Sequence, residues 1–205
     1  MNLAIVVQTC DRYQFVWEQW AKCFQGTFVP KDLPVYFVTE QIKNIHIKFP
    51  SNIYNLRIGP GEWSDRLMRT LEILHNDFIF YMQEDMFPKI LLHKWHFELF
   101  IGILETFQFD ALQISPNCEY YSLEEINSNQ ILSIKQFSNE SNYLISHQPR
   151  LWRRDFLYKS LIPHESPWVH EIEGTKRIRL KNPCIGFIEW NWYNHMIRRG
   201  QWIHT

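Results

Sequence analysis

The sequence predicts an α/β fold in which a mostly parallel central sheet is flanked by helices. Three observations lead there. Short apolar runs of strand length, rich in β-branched and aromatic residues, recur through the first half of the chain. Between them lie stretches whose apolar residues recur at helical spacing. The two kinds alternate, the pattern that places helices on both faces of a parallel sheet.

The elements follow in order. Leu3–Thr9 (LAIVVQT) reads as a buried strand that ends in polar residues. Tyr13, Val16, Trp17, Trp20, Ala21 and Phe24 then mark one face of a helix. Pro30 to Pro34 breaks the chain, and Val35–Thr39 (VYFVT) is the second strand, with Ile53–Ile58 the third. Gly59-Pro60-Gly61 makes a turn. Trp63, Leu67, Leu71 and Leu74 mark a second helix, and Phe78–Met82 (FIFYM) is a strand that runs straight into Gln83-Glu84-Asp85. Leu92, Trp95, Leu99, Ile103 and Phe107 mark a third helix, and Ala111–Ile114 a further strand.

The second half is less regular. Residues 115–147 are polar and read as loop, and Arg150–Leu161 as a helix. Pro167 suits an early helix position, so the segment from Glu165 through Lys176 reads as helical. Cys184–Glu189 is expected to be a strand and Trp190–Arg199 a terminal helix. A single domain, residues 1–205, is expected, with a donor-side half at about 1–115 and an irregular half at about 116–205.

Composition narrows the function. A chain of 205 residues buries roughly 70% of its unfolded surface, enough for a core without staples. The net charge of −1 lacks the basic excess of a nucleic-acid binder. Cys10, Cys23, Cys118 and Cys184 form no CxxC pair, which argues against a zinc site or disulfide framework and for a reduced, cytoplasmic setting. No apolar run approaches the ~18 residues of a spanning helix, and no signal peptide is evident. Aromatics reach 16%, with nine Trp. They fill cores, and they also stack on sugars and bases.

In open α/β sheets ligands bind beyond the carboxyl ends of the strands. Three such ends carry polar groups: Thr9 to Arg12, Glu40, and Gln83 to Asp85. The adjacent carboxylates Glu84 and Asp85 repel unless a cation compensates. A hard divalent ion shared with substrate phosphate is one solution, and a solvated acidic turn is the simpler alternative. Mn²⁺ and Mg²⁺ both suit oxygen ligands.

Three segments together resemble the glycosyltransferase A fold of small bacterial and viral sugar transferases. They are Val6-Val7-Gln8-Thr9-Cys10-Asp11-Arg12-Tyr13; Gly61-Glu62-Trp63-Ser64-Asp65-Arg66-Leu67, followed by Phe78–Asp85; and Gln148-Pro149-Arg150-Leu151-Trp152, followed by Glu165 to Glu171. The resemblance spans residues 3 to 175. It implies a Rossmann-like nucleotide-binding half, a nucleotide diphosphate sugar donor and a glycan or glycoprotein acceptor. It also implies donor contacts at Thr9, Asp11, Arg12, Glu40, Asp65, Arg66 and Glu84, and a metal ligand at Asp85. The family motif is Asp-x-Asp; here it reads Glu84-Asp85-Met86, with Met in place of the second carboxylate. Glu171 is the candidate general base that takes the acceptor's proton, with Glu173, Glu165 and His170 as competitors. Trp168 and Gln148 are candidate contacts to the acceptor or sugar. Arg12, Arg66, Arg153, Arg154 and Arg177 are candidate phosphate partners.

Other roles remain open. Asp11 also suits a helix N-cap. His93 and His96, three apart on a helix, read as core or surface, and His195 as a distant candidate for the metal or phosphates. A nucleotidyltransferase would share the layout, but Gln8-Thr9-Cys10-Asp11-Arg12 has no glycine for a phosphate loop. A carbohydrate-binding pseudo-transferase without turnover is the non-enzymatic alternative.

Overall fold

The computed structural model describes residues 1–27, 33–41, 51–116, 121–128, 132–198 and 200–203. Pro30 and Cys118 lie outside them. The first half contains β1 (Leu3–Gln8), a 3₁₀ turn (Asp11–Tyr13), α1 (Gln14–Thr27), β2 (Val35–Thr39), β3 (Ile53–Arg57) and α2 (Trp63–Ile73). It continues with β4 (Phe78–Gln83), β5 (Met86–Pro88), α3 (Lys94–Thr106) and β6 (Ala111–Ser115). The second half contains β7 (Leu123–Ser128), β8 (Ser133–Phe137), β9 (Arg150–Arg153), α4 (Arg154–Ser160) and α5 (Pro167–Val169). A π-helical turn (His170–Gly174) leads into α6 (Thr175–Arg179), and the chain closes with β10 (Ile185–Glu189), β11 (Tyr193–His195), β12 (Ile197–Arg198) and β13 (Gln201–Trp202).

Among the described residues nine strands form one sheet in the order β3-β2-β1-β4-β9-β6-β10-β8-β7. The pairings β3–β2, β2–β1, β1–β4 and β6–β10 are parallel, and only β9 and β8 run against the common direction. The runs LAIVVQ and FIFYMQ lack polar alternation because both faces of the sheet are covered. Successive side chains point to opposite faces. Ile5, Val7, Phe80 and Met82 pack on one side with Trp17, Trp20, Phe37 and Phe97. Ala4, Val6, Ile79 and Tyr81 pack on the other with Trp63, Leu67, Leu71 and Trp152. Each such fully buried large side chain contributes roughly 1.5–3 kcal/mol.

Three expectations need correction. The polar stretch 115–147 contains the β7–β8 hairpin at the end of the sheet, where Glu124, Glu125 and Asn127 are exposed and Lys135 and Gln136 half-exposed. The segment expected to be one helix from Arg150 begins as β9, because it fills the gap between β4 and β6. The expected terminal helix is instead β11 and β12. Its Asn, Trp, Tyr and His residues are weak helix formers, and β11 pairs antiparallel with β5. There Trp192 is fully buried and its Nε1–H donates to Ile114 O at 3.0 Å.

Candidate active site

The carboxyl ends of β1, β2 and β4 open onto a cleft of two adjoining hollows. The donor-side hollow, about 400 Å³, is lined by Gln8, Thr9, Arg12, Glu40, Arg66, Gln83, Glu84 and Asp85, with Trp63 and Trp168. The second, about 510 Å³, is lined by Gln148, His147, Glu171 and His195. Arg12, Tyr13, Gln83, Asp85, Pro167 and Trp168 belong to both.

The loop after β1 is tied to the end of β2. Asp11 accepts from the backbone N–H of Glu40 at 3.0 Å and of Gln41 at 2.9 Å, and its own N–H donates to Glu40 Oε2 at 2.9 Å. Both carboxylate oxygens are thereby engaged with protein, so Asp11 positions the rim. It caps no helix with its side chain: the turn it opens has Cys10 at the N-cap. Thr9 is buried, and its Oγ1 accepts from Trp17 Nε1 at 2.7 Å. Arg66, 6% exposed, donates to Thr9 O at 2.5 Å and holds Nε 3.6 Å from Glu40 Oε1. Arg12 is exposed on the cleft.

Asp65 lies elsewhere. It closes the capping box of α2 by accepting from Glu62 N at 3.1 Å, and it accepts from His164 N and Nδ1. It lines a separate surface hollow with Pro60 and Arg69. Its acidic position at a helix start is explained by the cap.

Glu84 is 7% exposed. Burial first, and then the neighbouring charge of Asp85, push its carboxyl well above the usual range; Arg66 and a hydrogen bond with Thr9 act the other way. Asp85 is half-buried. His195 Nε2–H donates to its Oδ2 at 2.6 Å, while Oδ1 is buried with no hydrogen-bond partner among the described residues. That bond raises the His195 pKa. His195 arrives through the β11–β5 pairing, which sets it opposite Met86. Met86 is buried against the core and touches only the second hollow, whereas Gln83 lines both hollows with Asp85.

Glu171 sits in the π-helical turn, a geometry common at functional sites. It accepts from His147 N at 2.7 Å, and burial raises its pKa. Trp168 is 70% exposed at the junction of the two hollows. Gln148 Oε1 accepts from the Tyr193 hydroxyl. The competitors of Glu171 have other work. Glu165 holds Arg177 through two bonds of 2.7 and 2.8 Å, and Glu173 is exposed and paired with Lys176. His170 is fully buried, shares a 3.2 Å hydrogen bond with His147, and has its pKa lowered to about 3, chiefly by burial. Arg153 donates to Phe109 O and Arg154 to Leu71 O and Leu74 O, and neither lines the two hollows. His93 and His96 close the capping box of α3.

Sequence reasoning passed over Gln8. It is 2% exposed, lines the donor-side hollow, and has no partner for its amide N or O among the described residues. A polar residue ending an otherwise apolar strand was the available signal. Among the described residues no group of three or more His, Cys, Asp or Glu side chains could hold a metal ion. Asp85 Oδ1 is left as a possible ligand oxygen, while His195 Nε2 carries the proton it shares with Oδ2.

No protein-family model matches the sequence, and no curated protein matches it. Solved structures match the fold. S. aureus TarS 1-349 in complex with UDP-GlcNAc superposes with a TM-score of 0.59 and 15% identity, over 98% of this chain and 60% of that one. A mycobacterial protein gives 0.53 and 12%, over 96% of this chain and 68% of the other. CMP:2-keto-3-deoxy-manno-octonic acid synthetase complexed with CTP gives 0.51 and 12%, over 94% and 91%. The chain thus spans about 60% of the length of the TarS chain it matches. Identities this low speak to architecture alone: the chain has the glycosyltransferase A-like fold, a large mostly parallel sheet flanked by helices.

Proposed function

We propose that this protein is a metal-assisted glycosyltransferase that moves a sugar from a nucleotide diphosphate sugar to a glycan or glycoprotein acceptor. One observation carries the reading. Asp85 stands between a hollow at the carboxyl ends of β1, β2 and β4 and a second hollow walled by the buried carboxyl of Glu171. A donor in the first hollow and an acceptor in the second would meet at Asp85.

Gln8 and the Asp11–Glu40–Arg66 rim bind the nucleotide end of the donor, and exposed Arg12 draws the diphosphate. The orphaned Asp85 Oδ1 fits as a ligand oxygen for a divalent ion such as Mn²⁺ or Mg²⁺; His195, whose Nε2–H is held by Oδ2, would add a nitrogen only on losing that proton. Such an ion supplies Lewis-acid stabilisation of the charge on the departing diphosphate. Glu171 takes the proton from the attacking acceptor hydroxyl, and its raised pKa suits a base working near neutrality. This corresponds to inversion at the anomeric carbon. Trp168 presents an aromatic face to the sugar passing between the hollows.

The test is slow donor hydrolysis with Mn²⁺ across a panel of nucleotide sugars, preceded by a thermal-shift screen. A true donor at 100 times its Kd adds about 2.7 kcal/mol of stability. Asp85→Ala should abolish hydrolysis. Calorimetry showing no nucleotide diphosphate binding, with or without Mn²⁺, would sink the proposal. A nucleotidyltransferase is the second reading, favoured by the match across 91% of the CTP-bound synthetase. Release of pyrophosphate from a nucleoside triphosphate, rather than of a nucleoside diphosphate from a sugar nucleotide, would select it. Nucleotide binding without either turnover would select a pseudo-transferase.

A further inference from the structure

A third hollow, of about 400 Å³, adjoins the second. It shares Gln148 and His195 with the second hollow and no residue with the donor-side one. The three therefore lie in sequence: donor side, junction, outer hollow. The outer hollow has a lining unlike the others. Besides the shared pair, its chemistry comes from Ser115, Tyr121, Asn191, Tyr193 and Asn194, and among the described residues no Asp, Glu, Lys or Arg lines it. The donor-side hollow, by contrast, carries Arg12, Arg66, Glu40, Glu84 and Asp85.

The polar groups of the outer hollow are held in place. The Lys89 ammonium donates to Asn191 Oδ1 at 2.6 Å and to Asn194 Oδ1 at 3.3 Å. An ammonium only donates, so both amides must turn their oxygens to Lys89, which leaves their NH₂ groups as donors for another partner. The Tyr193 hydroxyl is committed to Gln148, and its ring is buried. The Tyr121 hydroxyl lies 3.4 Å from Ser146 Oγ. Fixed amide donors, hydroxyls and tyrosine rings, without formal charge, recognise a neutral polyhydroxylated ring. Phosphate or carboxylate would call for free cations; among the described residues of the lining the one titratable cation, His195, is already paired with Asp85. The volume falls in the ordinary range of ligand pockets, roughly 300–1,000 Å³.

We infer that the outer hollow is a second acceptor subsite that binds a neutral sugar unit beyond the one that reacts, so that the preferred acceptor is an oligosaccharide. The inference rests on the proposed transfer reaction for the identity of the middle hollow. It adds the acceptor's length and charge.

The experiment uses the whole chain and a ladder of neutral oligosaccharides of one to four units, in glucose, galactose and N-acetylglucosamine series. Binding is read by calorimetry in the presence of a nucleoside diphosphate and Mn²⁺. In at least one series the affinity should rise about tenfold from one unit to two or three. Asn191→Ala and Tyr121→Phe should flatten that rise while donor hydrolysis and thermal stability stay as in the parent. Affinity independent of length, a rise that survives both substitutions, no saccharide bound at all, or tighter binding of anionic than of neutral oligosaccharides would each overturn the inference. Loss of donor hydrolysis in the parent would instead overturn the transferase reading, since that activity needs no acceptor.

Discussion

The clasp between the β1 and β2 loops sets a specific expectation for Asp11→Ala. The carboxylate accepts two backbone N–H bonds, at 3.0 and 2.9 Å, one half-buried and one exposed. Bonds to charged groups contribute about 1.5–3 kcal/mol each when well shielded. Solvent access here argues for the lower end, about 1–1.5 kcal/mol each. The substitution should therefore cost about 2–3 kcal/mol of unfolding free energy, which for a chain of this size lowers Tm by about 5–10 °C. Asp11→Asn keeps one acceptor oxygen and should lose about half as much. Urea denaturation followed by tryptophan fluorescence measures both. Nucleotide affinity should fall with them, because the clasp places Glu40 beside Arg66 and so shapes the donor-side hollow. An Asp11→Ala protein with the parent's urea midpoint but no nucleotide binding would refute the reasoning. It would mean that Asp11 meets the ligand directly rather than holding the rim.

Other outcomes follow from the same geometry. Glu171→Gln should lower kcat by about 10²–10⁴-fold, the span of general base catalysis, and a kcat near the parent's would remove Glu171 from the reaction. Because burial raises the Glu171 pKa, its folded state holds the proton more tightly than the unfolded chain. Its contribution thus grows unfavourable as pH rises from the ordinary carboxylate range through the raised value. Glu171→Gln should accordingly gain stability relative to the parent as pH rises through that window, as urea midpoints at several pH values will show. His170 behaves in the opposite sense. Its pKa is lowered to about 3, so the unfolded chain binds the proton first and stability is lost as pH falls below about 6.5. Between pH 7 and 5 this single group withdraws about 2 kcal/mol, and His170→Asn should show a flatter profile over that interval. Gly186→Ala would drive a Cβ into the buried Phe109 ring, which itself stacks on Phe107. Overpacking of this kind costs about 1–3 kcal/mol, and an unchanged urea midpoint would show that the ring can repack.

The strands that stand out most plainly in the sequence are those buried on both faces, although β3, which is largely exposed, was legible too. LAIVVQ, VYFVT and FIFYM advertise themselves as unbroken apolar runs because every residue in them except the half-buried Tyr36 is buried. β7 and β8 carry Glu124, Glu125, Lys135 and Gln136 at the sheet's edge, so their composition resembles loop. β9 has only four residues, too few to display a period, and is a strand because β4 and β6 leave an opening for it. The site divides in the same way. Asp85, Glu171, Trp168 and Gln148 were readable from local motif and context, and the structure brings them to one cleft. His195 reaches Asp85 across 110 positions through a three-residue pairing that no local pattern announces. Asp65 was misplaced because an acidic residue at a helix start looks alike whether it faces a ligand or caps its own helix.

The place of β9 also bears on how the protein is made. The parallel block β3-β2-β1-β4 can assemble once residues 1–83 have been synthesised, yet the outer edge of β4 stays open until residues 150–153 arrive. That edge is FIFYMQ, an apolar strand of the kind that pairs readily with other chains when unprotected. Nascent chains stalled between those two points would expose it, so premature termination should yield insoluble fragments rather than a smaller folded unit.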